Sequence, residues 1–410
     1  MKILFVLNQL PCPPRNGVTI PSYNYLQGLS LDHEVSLLFV NDAVHQYTEA
    51  DIESNRALVK HLWLTEARKK PSGQRALNEI MARYFFHMGR EYDENQLAEI
   101  FREHKFDAVW VSDESLLDII EVLRKHLGNK TKFVAAINDC ITLVFRQSRE
   151  HVLRKGGTLA ERMKAAVKWL RSFRAGRIET NFLKAYDLIQ IQSDADRAAL
   201  SKISSQLLDP KILVLSNGVE LRLFANEIST ATSDVLFVGS LWGYSKIVVW
   251  LLEEVWPVIK ARCPDAVFHV IGRGASPRLR QAIRDSEGVI HTEFIADVAE
   301  VYRGKAVSLS PVFKKYGLIN KVVESMAAGV PVVADRGGFG NIPEFQDGKH
   351  AVIANDAQSM AEAVVGLLDS VDRRKSIGIE AKNLVMRHFQ WQERVRQLAD
   401  RLTANPADHY

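Results

Sequence analysis

Two side chains of opposite charge, Lys321 and Glu324, stand three residues apart in a stretch whose pattern predicts a short helix from Asn320 to Ala328. Residues three apart lie on the same face of a helix. A helix N-terminus attracts phosphate, and a lysine in the first turn is favourable only beside an anion. A carboxylate on that face can accept hydrogen bonds from both vicinal hydroxyls of a ribose. The spacing suits a nucleotide diphosphate, although an ordinary surface Lys–Glu pair has the same spacing, and the residues alone leave both interpretations open.

This helix lies between two predicted strands. Residues 306–310 are small and apolar, and residues 330–334 form a second apolar run just after Gly329, which ends the helix. Strand, loop, helix and strand make half of a doubly wound sheet. Such a sheet binds its ligand where loops leave the carboxyl ends of the strands, which is where the loop before Asn320 lies.

Gly317, Lys321 and Glu324, followed by the run SMAAGVPVVA, resemble the donor-site signature of the family 4 retaining glycosyltransferases, which have the GT-B fold. The branch that the chain resembles most carries G-x-x-x-K-x-x-E before MA-x-G-x-PVV, and many of its members build bacterial surface polysaccharides. In the commoner family pattern, a second glutamate precedes the one matched by Glu324 by eight positions. This chain has Tyr316 there, so Tyr316 takes that donor-facing position.

The resemblance implies further donor-binding residues. The chain keeps Gly17 from the glycine pair that closes over the donor phosphates in the family, although an ordinary strand-to-helix turn is the alternative. After the glycine matched by Gly239, the family commonly places a basic residue and then a lysine on the diphosphate. This chain has Ser240 at the first position and Lys246 near the second. Arg273 follows the predicted strand at 267–271 and is a candidate for the base or the phosphates, or else a surface arginine.

A second candidate for chemistry lies in the first half of the chain. The predicted strand at 132–137 ends in Asn138 and Asp139, which places a carboxylate where such sheets open to their clefts. Asp139 could orient an acceptor hydroxyl or balance charge at the reacting carbon. It equally suits the cap of the following segment.

Residues 146–184 form a basic block with eleven Lys or Arg and three Glu, whereas the whole chain has a net charge of only +4. The rest of the chain therefore carries a net charge of −4, and the block suggests an anionic partner surface. Leu159, Met163, Val167 and Leu170 fall on one helical face beside basic side chains, which fits a helix on an anionic lipid surface. A packed helix with a solvated basic face fits equally well.

The length of 410 residues predicts two domains. The Asn-Gly-Val turn at 217–219 is similar to the family's crossing between domains. We therefore predict an N-terminal Rossmann-like, acceptor-binding domain at 1–215, a Rossmann-like donor-binding domain at 216–388, and a C-terminal helix at 389–410 that packs back on the first domain.

The composition, 47% apolar and 25% charged, is that of a soluble globular protein. Three widely spaced cysteines argue against a disulfide framework or a zinc site and suit a reducing compartment. The apolar start is too short for a signal peptide, and no apolar run reaches the length of a membrane span. We expect a cytoplasmic protein that either stays in solution or lies peripherally on the inner face of the cytoplasmic membrane.

The alternating strand and helix signals predict an α/β protein, and the resemblance implies the GT-B fold, two Rossmann-like doubly wound domains with an interdomain cleft. It implies metal-independent, cofactor-free, retaining transfer of a hexose-like sugar from a nucleotide-diphosphate sugar to a glycan or lipid-linked acceptor, in cell-surface polysaccharide biosynthesis and without nucleic acid. Such chemistry needs positioning and stabilisation of the leaving diphosphate, and we expect Lys321 to supply the latter. Two alternatives are a catalytically silent partner of a polysaccharide assembly complex and a GT-B isomerase acting on the nucleotide sugar.

Overall fold

The chain divides into two units in its computed structural model: Met1–Asn217 with Trp391–Tyr410, and Gly218–Gln390. The structure describes residues 1–14, 16–41, 47–69, 90–138, 140, 163, 166–167, 176–225, 227–228, 232–312 and 318–404. The boundaries predicted from the sequence stand after residues 215 and 388, and the division of the structure comes two residues later at each.

The first unit is built on a sheet of eight described strands in the order β4-β3-β2-β1-β5-β6-β7-β8. Only β4 runs antiparallel to its neighbour within this described sheet. The central strands are apolar on both faces, as expected for parallel strands covered on both sides by helices. The strands are β1 (Lys2–Leu7), β2 (Glu34–Asn41), β3 (Leu62–Lys69), β4 (Arg90–Tyr92), β5 (Ala108–Ser112), β6 (Lys132–Ala136), β7 (Leu188–Ile191) and β8 (Ile212–Val214).

Helices connect these strands along the chain. They are α1 (Thr19–Leu29), α2 (Glu49–Arg56), α3 (Glu94–Glu103), α4 (Ile120–Leu127) and α5 (Asp194–Ile203), with 3₁₀ turns at Glu114–Ile119 and Asp209–Lys211. Side-chain caps mark several of their starts: Ser193 Oγ accepts the amide of Asp196 at 3.2 Å, as the sequence pattern predicts.

The second unit contains a parallel sheet in the order β11-β10-β9-β12-β13-β14. The first three strands extend from β9 to one side and the last three to the other, so the topological switch point lies between β9 and β12. Ligands bind at that point in doubly wound sheets. The strands are β9 (Asp234–Val238), β10 (Val267–Ile271), β11 (Val289–Thr292), β12 (Val307–Leu309), β13 (Val332–Ala334) and β14 (Val352–Ile353).

The helices of this unit cover both faces of the sheet. They are α6 (Leu241–Trp250), α7 (Trp256–Arg262), α8 (Pro277–Asp285), α9 (Val298–Tyr302), α10 (Asn320–Ala327), α11 (Ala357–Leu368) and α12 (Val371–His388). A π-helical turn at Leu251–Val255 joins α6 to α7, and 3₁₀ turns occupy Leu221–Ala225 and Arg336–Phe339.

The last helix, α13 (Trp391–Thr403), belongs to the first unit. It packs on α1 at Gly28, where an added Cβ would lie 2.6 Å from a Val395 methyl carbon. At its far end, the Lys132 ammonium donates hydrogen bonds of 2.8–3.1 Å to three carbonyl oxygens, those of Arg401, Leu402 and Ala404. A cation at a helix C-terminus is favourable, so Lys132 fixes the end of α13 on the sheet. The predicted α/β class with two doubly wound, Rossmann-like domains is confirmed.

Candidate functional site

The loops that leave β9 and β12 flank the switch point of the second sheet. Gly239 and Ser240 follow β9, and Ser310 to Val312 follow β12 before the chain reaches α10. Helix α10, which carries Lys321 and Glu324, begins beside these loops and is the centre of the candidate site.

Helix α10 begins without a side-chain cap. Its N-cap residue, Ile319, has no side-chain acceptor, and the first turn contains no acidic residue. Its other end is closed by Gly329, whose φ of 73° favours glycine. There α12 packs so closely that a Cβ on Gly378 would lie 2.4 Å from the Gly329 carbonyl oxygen. The helix is fixed at its C-terminal end, and its N-terminus carries the partial positive charge that attracts anions.

Lys321 extends from the first turn of α10 towards β9 and α6. The residue is only 8% exposed. The ammonium nitrogen lies 4.1 Å from the ring centre of Phe237 and 3.8 Å from that of Tyr244. Such cation–π contacts strengthen when the ammonium is desolvated, and they stabilise its charged form. Because a Cβ on Gly239 would lie 3.8 Å from the nitrogen, the charge sits directly beside the loop after β9.

Glu324, one turn further along α10, is partly buried and contacts a different element. Its Oε2 accepts a hydrogen bond of 2.8 Å from the hydroxyl of Tyr302, the last residue of α9. Burial raises the pKa of Glu324, the Tyr302 hydrogen bond opposes that rise, and the nearby charge of Glu220 adds to it. Burial and the charge of Glu324 raise the pKa of Tyr302 well above its usual value, so the phenol remains a donor.

Three buried serine hydroxyls link α10 to β12. Ser325 Oγ lies 2.7 Å from the carbonyl oxygen of Lys321 and 2.9 Å from Ser308 Oγ, which is 3.0 Å from Ser310 Oγ. All three serines have no exposed surface. These bonds hold the first turn of α10 at a fixed position relative to the end of β12.

Asp335 is a structural residue of the site that our sequence analysis missed. Its Oδ1 accepts the amide of Val312 at 2.6 Å, and its Oδ2 accepts the amide of Gly337 at 3.1 Å. The carboxylate thereby ties the chain after β12 to the turn after β13. Its position directly behind a predicted strand and before two glycines was the available signal.

Two glycine-containing loops touch each other at this edge of the sheet. A Cβ on Gly272 would lie 1.9 Å from the Gly239 carbonyl oxygen, and both residues have positive φ values, 153° and 155°. The amide of Leu241 donates to the carbonyl oxygen of Arg273 at 2.9 Å. A side chain at Gly272 is therefore excluded by the close approach of the loops after β9 and β10.

Arg273 is exposed, and its guanidinium carbon lies 4.3 Å from the ring centre of Phe294, which follows β11. Nearby, the ring of Trp242 packs on Gly274, where a Cβ would approach it to 2.3 Å. Trp242 is 79% exposed and Phe294 54% exposed. Flat apolar surfaces are thus accessible at the carboxyl ends of β9 to β11, next to the predicted base or phosphate residue Arg273.

Ser240 and Lys246 are both exposed. Ser240 is the N-cap residue of α6 but makes no side-chain capping bond. Lys246 stands two residues after Tyr244, and side chains two apart on a helix point to different sides. Ser240 directly follows Gly239, the residue beside the Lys321 ammonium, whereas Lys246 points to a different side of α6 from Tyr244.

Gly17 belongs to the first unit, in the turn before α1. It is exposed, and a Cβ there would meet nothing within 4 Å. The neighbouring Asn16 Oδ1 accepts the amides of Val18 at 2.8 Å and Thr19 at 3.0 Å. The first amides of α1 are therefore already occupied by Asn16, a capping role that our sequence analysis did not anticipate.

Several predicted residues lie outside the described residues: Asp139, Tyr316 and Gly317, together with most of the basic block at 146–184. Within the described ranges, no group of three His, Cys, Asp or Glu side chains is arranged to hold a metal ion. Within those same ranges, every helix is too short or too polar to cross a membrane.

Comparison with known proteins locates the family similarity in the second unit. Residues 232–370 match the family described as "Glycosyl transferases group 1". Over 190 residues the chain is 29% identical to the phosphatidyl-myo-inositol mannosyltransferase of Mycolicibacterium smegmatis, covering 43% of this chain and 48% of that protein. Over 168 residues it is 26% identical to the GDP-mannose-dependent alpha-(1-6)-phosphatidylinositol monomannoside mannosyltransferase of the same organism, covering 37% of this chain and 44% of that protein. The chain thus spans about half the length of these relatives.

Solved structures resemble the chain over nearly its whole length. HepE of Anabaena, solved with UDP-glucose, has a TM-score of 0.66 at 14% identity, covering 98% of this chain and 99% of that one. Sucrose-phosphate synthase of Thermosynechococcus elongatus has a TM-score of 0.66 at 14% identity and 97% coverage of both chains. The predicted fold is confirmed: the chain has the GT-B fold of these glycosyltransferases.

Proposed function

We propose that this chain is a glycosyltransferase that takes a sugar from a nucleotide-diphosphate sugar and transfers it to a glycan or lipid-linked acceptor. The observation that carries the proposal is the arrangement on α10, where Lys321 places a buried cation beside the loop after β9 and Glu324 presents a carboxylate one turn away. The match of residues 232–370 to glycosyl transferases group 1 supports the same assignment.

Lys321 is the group that we assign to the leaving diphosphate. As the bond between the sugar and the diphosphate breaks, negative charge grows on the diphosphate oxygen, and a fixed cation stabilises that charge. The Phe237 and Tyr244 rings hold the ammonium in place before the substrate arrives. The N-terminus of α10 adds its partial positive charge on the same side. We expect the reaction to need no metal and to retain the configuration of the sugar, as in the family that the sequence resembles.

Glu324 is assigned to the ribose of the donor. A carboxylate accepts about four hydrogen bonds, and Tyr302 uses one of these positions. The remaining positions suit the two vicinal hydroxyls. The nucleobase would then lie towards Arg273, Phe294 and Trp242, whose exposed rings and guanidinium offer stacking surfaces.

The acceptor class follows from the relatives. The matched mannosyltransferases act on phosphatidylinositol compounds, as their names state. We infer that this chain uses a lipid-linked or glycan acceptor and works in the synthesis of cell-surface polysaccharide or glycolipid, with the basic block at 146–184 contacting an anionic membrane surface. A peripheral position on the inner face of the cytoplasmic membrane is part of this proposal.

Binding of free nucleotides tests the donor assignment directly. Isothermal titration of the full chain with UDP, GDP and ADP should give saturable binding of at least one of them. Glu324→Gln and Lys321→Met should each weaken it, and both variants keep side chains of similar length. Absence of binding by the folded wild-type chain would refute the proposal and favour a catalytically silent partner, for which the uncharged Ser240 directly after Gly239 is the supporting observation.

A further inference from the structure

Tyr302 lies next to the proposed ribose site without facing the substrate itself. The residue is 1% exposed, and its ring belongs to the buried cluster that also contains Val323 and Ala327 of α10. Its hydroxyl donates to Glu324 Oε2 at 2.8 Å. We propose that Tyr302 is a positioning residue that orients the Glu324 carboxylate and keeps it an acceptor for the donor ribose. This inference rests on the proposed function.

The position of the phenol is set by the element that carries it. Helix α9 starts at an Asp297 cap, where Oδ1 accepts the amide of Ala299 at 3.0 Å. The same carboxylate lies 3.4 Å from the Arg222 guanidinium, so the start of α9 is tied to the turn at 221–225. With the helix fixed at its start and the Tyr302 ring packed in the cluster, the hydroxyl can reach only a narrow region around Glu324.

One oxygen of the carboxylate is thereby oriented by a protein donor, which leaves the other oxygen for hydroxyls of a ligand. A carboxylate held in one rotamer loses less conformational entropy when the ligand binds. The donor bond also favours the charged form of the carboxylate. Tyr302 would thus act on both the geometry and the protonation of Glu324.

The charges around Glu324 determine how its protonation responds to pH. Glu220 approaches from the segment before the turn at 221–225, and its own partner is Arg222 at 3.8 Å. Lys321 lies one turn earlier on α10, and Asp297 is paired with Arg222. Burial and Glu220 raise the pKa of Glu324, whereas the Tyr302 bond lowers it. Removing the phenol hydroxyl should therefore raise this pKa further.

The direction of the change in nucleotide affinity with pH depends on which protonation state of Glu324 binds the ribose. Ribose hydroxyls donate, so they need the carboxylate, and nucleotide affinity falls as the pH drops through the pKa of Glu324. With a higher pKa in Tyr302→Phe, this loss should begin at a higher pH than in the wild type. At mildly acidic pH we expect binding about tenfold weaker, in the range for a lost hydrogen bond to a charged group, and a smaller difference at alkaline pH.

The experiment is a pH series of titrations with UDP and with GDP on the full chain. It compares the wild type, Tyr302→Phe, Glu324→Gln and the double variant. We expect the acid limb of the affinity profile to shift to higher pH in Tyr302→Phe. In the Glu324→Gln background, Tyr302→Phe should change the affinity little, since its effect passes through the carboxylate. Tyr186→Phe is the matched control, because this tyrosine is also buried and its hydroxyl donates to the Leu117 carbonyl oxygen in the other unit.

Replacement of Tyr302 by 3-fluorotyrosine covers the case in which Tyr302→Phe fails to fold. The fluorinated phenol is a stronger donor of nearly the same size, so the acid limb should move to lower pH. A profile unchanged in both variants, with wild-type nucleotide binding intact, overturns the role of Tyr302 and leaves the proposed function standing. A wild-type chain that binds neither UDP, GDP nor ADP overturns both.

Discussion

Replacing Lys321 by alanine should reduce the turnover number far more than it reduces donor binding. Lys321 is 8% exposed, and its ammonium lies against the rings of Phe237 and Tyr244, beside the loop after β9. In the proposed transfer, a charge held there acts on a diphosphate oxygen that becomes more negative as the bond to the sugar breaks. Interactions that are stronger in the transition state than in the bound substrate raise the rate rather than the affinity.

The magnitude follows from the distance at which a buried ammonium meets an anion. Two unit charges about 4 Å apart attract by about 4 kcal/mol at an effective dielectric constant of about 20. We take about two-thirds of a charge to have developed on the diphosphate in the transition state. Removing the Lys321 ammonium then removes about 2.7 kcal/mol of transition-state stabilisation. This corresponds to about a hundredfold in turnover number, which agrees with the effect of deleting one charge-stabilising group in other enzymes.

The assay measures sugar transfer to an acceptor membrane fraction with radiolabelled donor, and measures nucleotide affinity separately by titration. Lys305→Ala is the matched control, since Lys305 is also a poorly exposed lysine of the second unit. It pairs with Asp234 at 3.2 Å at the start of β9, the opposite end of that strand. We expect Lys305→Ala to lower the free energy of unfolding but to keep the turnover number. Equal turnover in both folded lysine variants would refute a charge-stabilising role for Lys321.

Four further predictions concern binding and stability. Glu324→Ala should weaken nucleotide binding by about 2 kcal/mol, measured by titration, because hydrogen bonds to a charged group are lost. Residues 146–184 should bind anionic vesicles, with each basic residue near the surface contributing about 1 kcal/mol to the binding free energy. Salt should weaken this binding in a co-sedimentation assay. Gly378→Ala should lower the free energy of unfolding by about 2 kcal/mol in urea titrations, since its Cβ would lie 2.4 Å from a backbone oxygen. Lys132→Met should make the C-terminal helix accessible to proteolysis, because three bonds to its last carbonyl oxygens disappear.

Each of these four has a clear contrary result. Wild-type nucleotide affinity in Glu324→Ala would remove the ribose assignment, and equal binding to neutral and anionic vesicles would remove the membrane assignment. Gly366→Ala serves as the control for Gly378→Ala, because there the added Cβ would meet only the Arg373 side chain, at 3.3 Å. Equal stability of these two alanine variants would contradict the close packing. An unchanged cleavage pattern in Lys132→Met would show that the bonds from Lys132 are not what holds the end of α13.

Local signals in the sequence were sufficient to predict α10 to within one residue. The helix was predicted to end at Ala328, and it ends at Ala327. The end was predictable because Gly329 supplies the positive φ that closes the helix. Strands β3, β4, β8 and β11 escaped prediction, and β4 and β8 are only three residues long. The sequence of β3 ends in the charged residues of LTEARK, and the short β11 contains a histidine, so neither shows a continuous apolar run. These two strands are held in their sheets by pairing with β2 and β10, and this pairing leaves no local signal in the sequence.

The residues that Lys321 and Glu324 contact could not be predicted from the sequence. The spacing of Lys321 and Glu324 shows that they share a helix face, and nothing local shows that the first contacts Phe237 and Tyr244 or that the second contacts Tyr302, 22 residues away. The burial of Lys321 excludes the alternative of a solvated surface pair. Contacts between strand ends are set by the topology of the sheet, which brings β9 and β12 together.

The charge distribution at this edge of the sheet explains why one lysine should matter so much. Burying an ammonium costs several kcal/mol, and the two rings around Lys321 offset part of that loss. The diphosphate of a donor carries about two negative charges, whereas the N-terminus of α10 supplies only about half a positive charge. Ser240 is neutral and Lys246 lies on another face of α6. Among the described residues next to the loop after β9, Lys321 therefore supplies a buried cation, whereas Arg273 supplies an exposed one that lies over the Phe294 ring. In the proposed reaction, loss of Lys321 would leave backbone amides and the solvent-exposed Arg273 to stabilise the diphosphate as the glycosidic bond breaks.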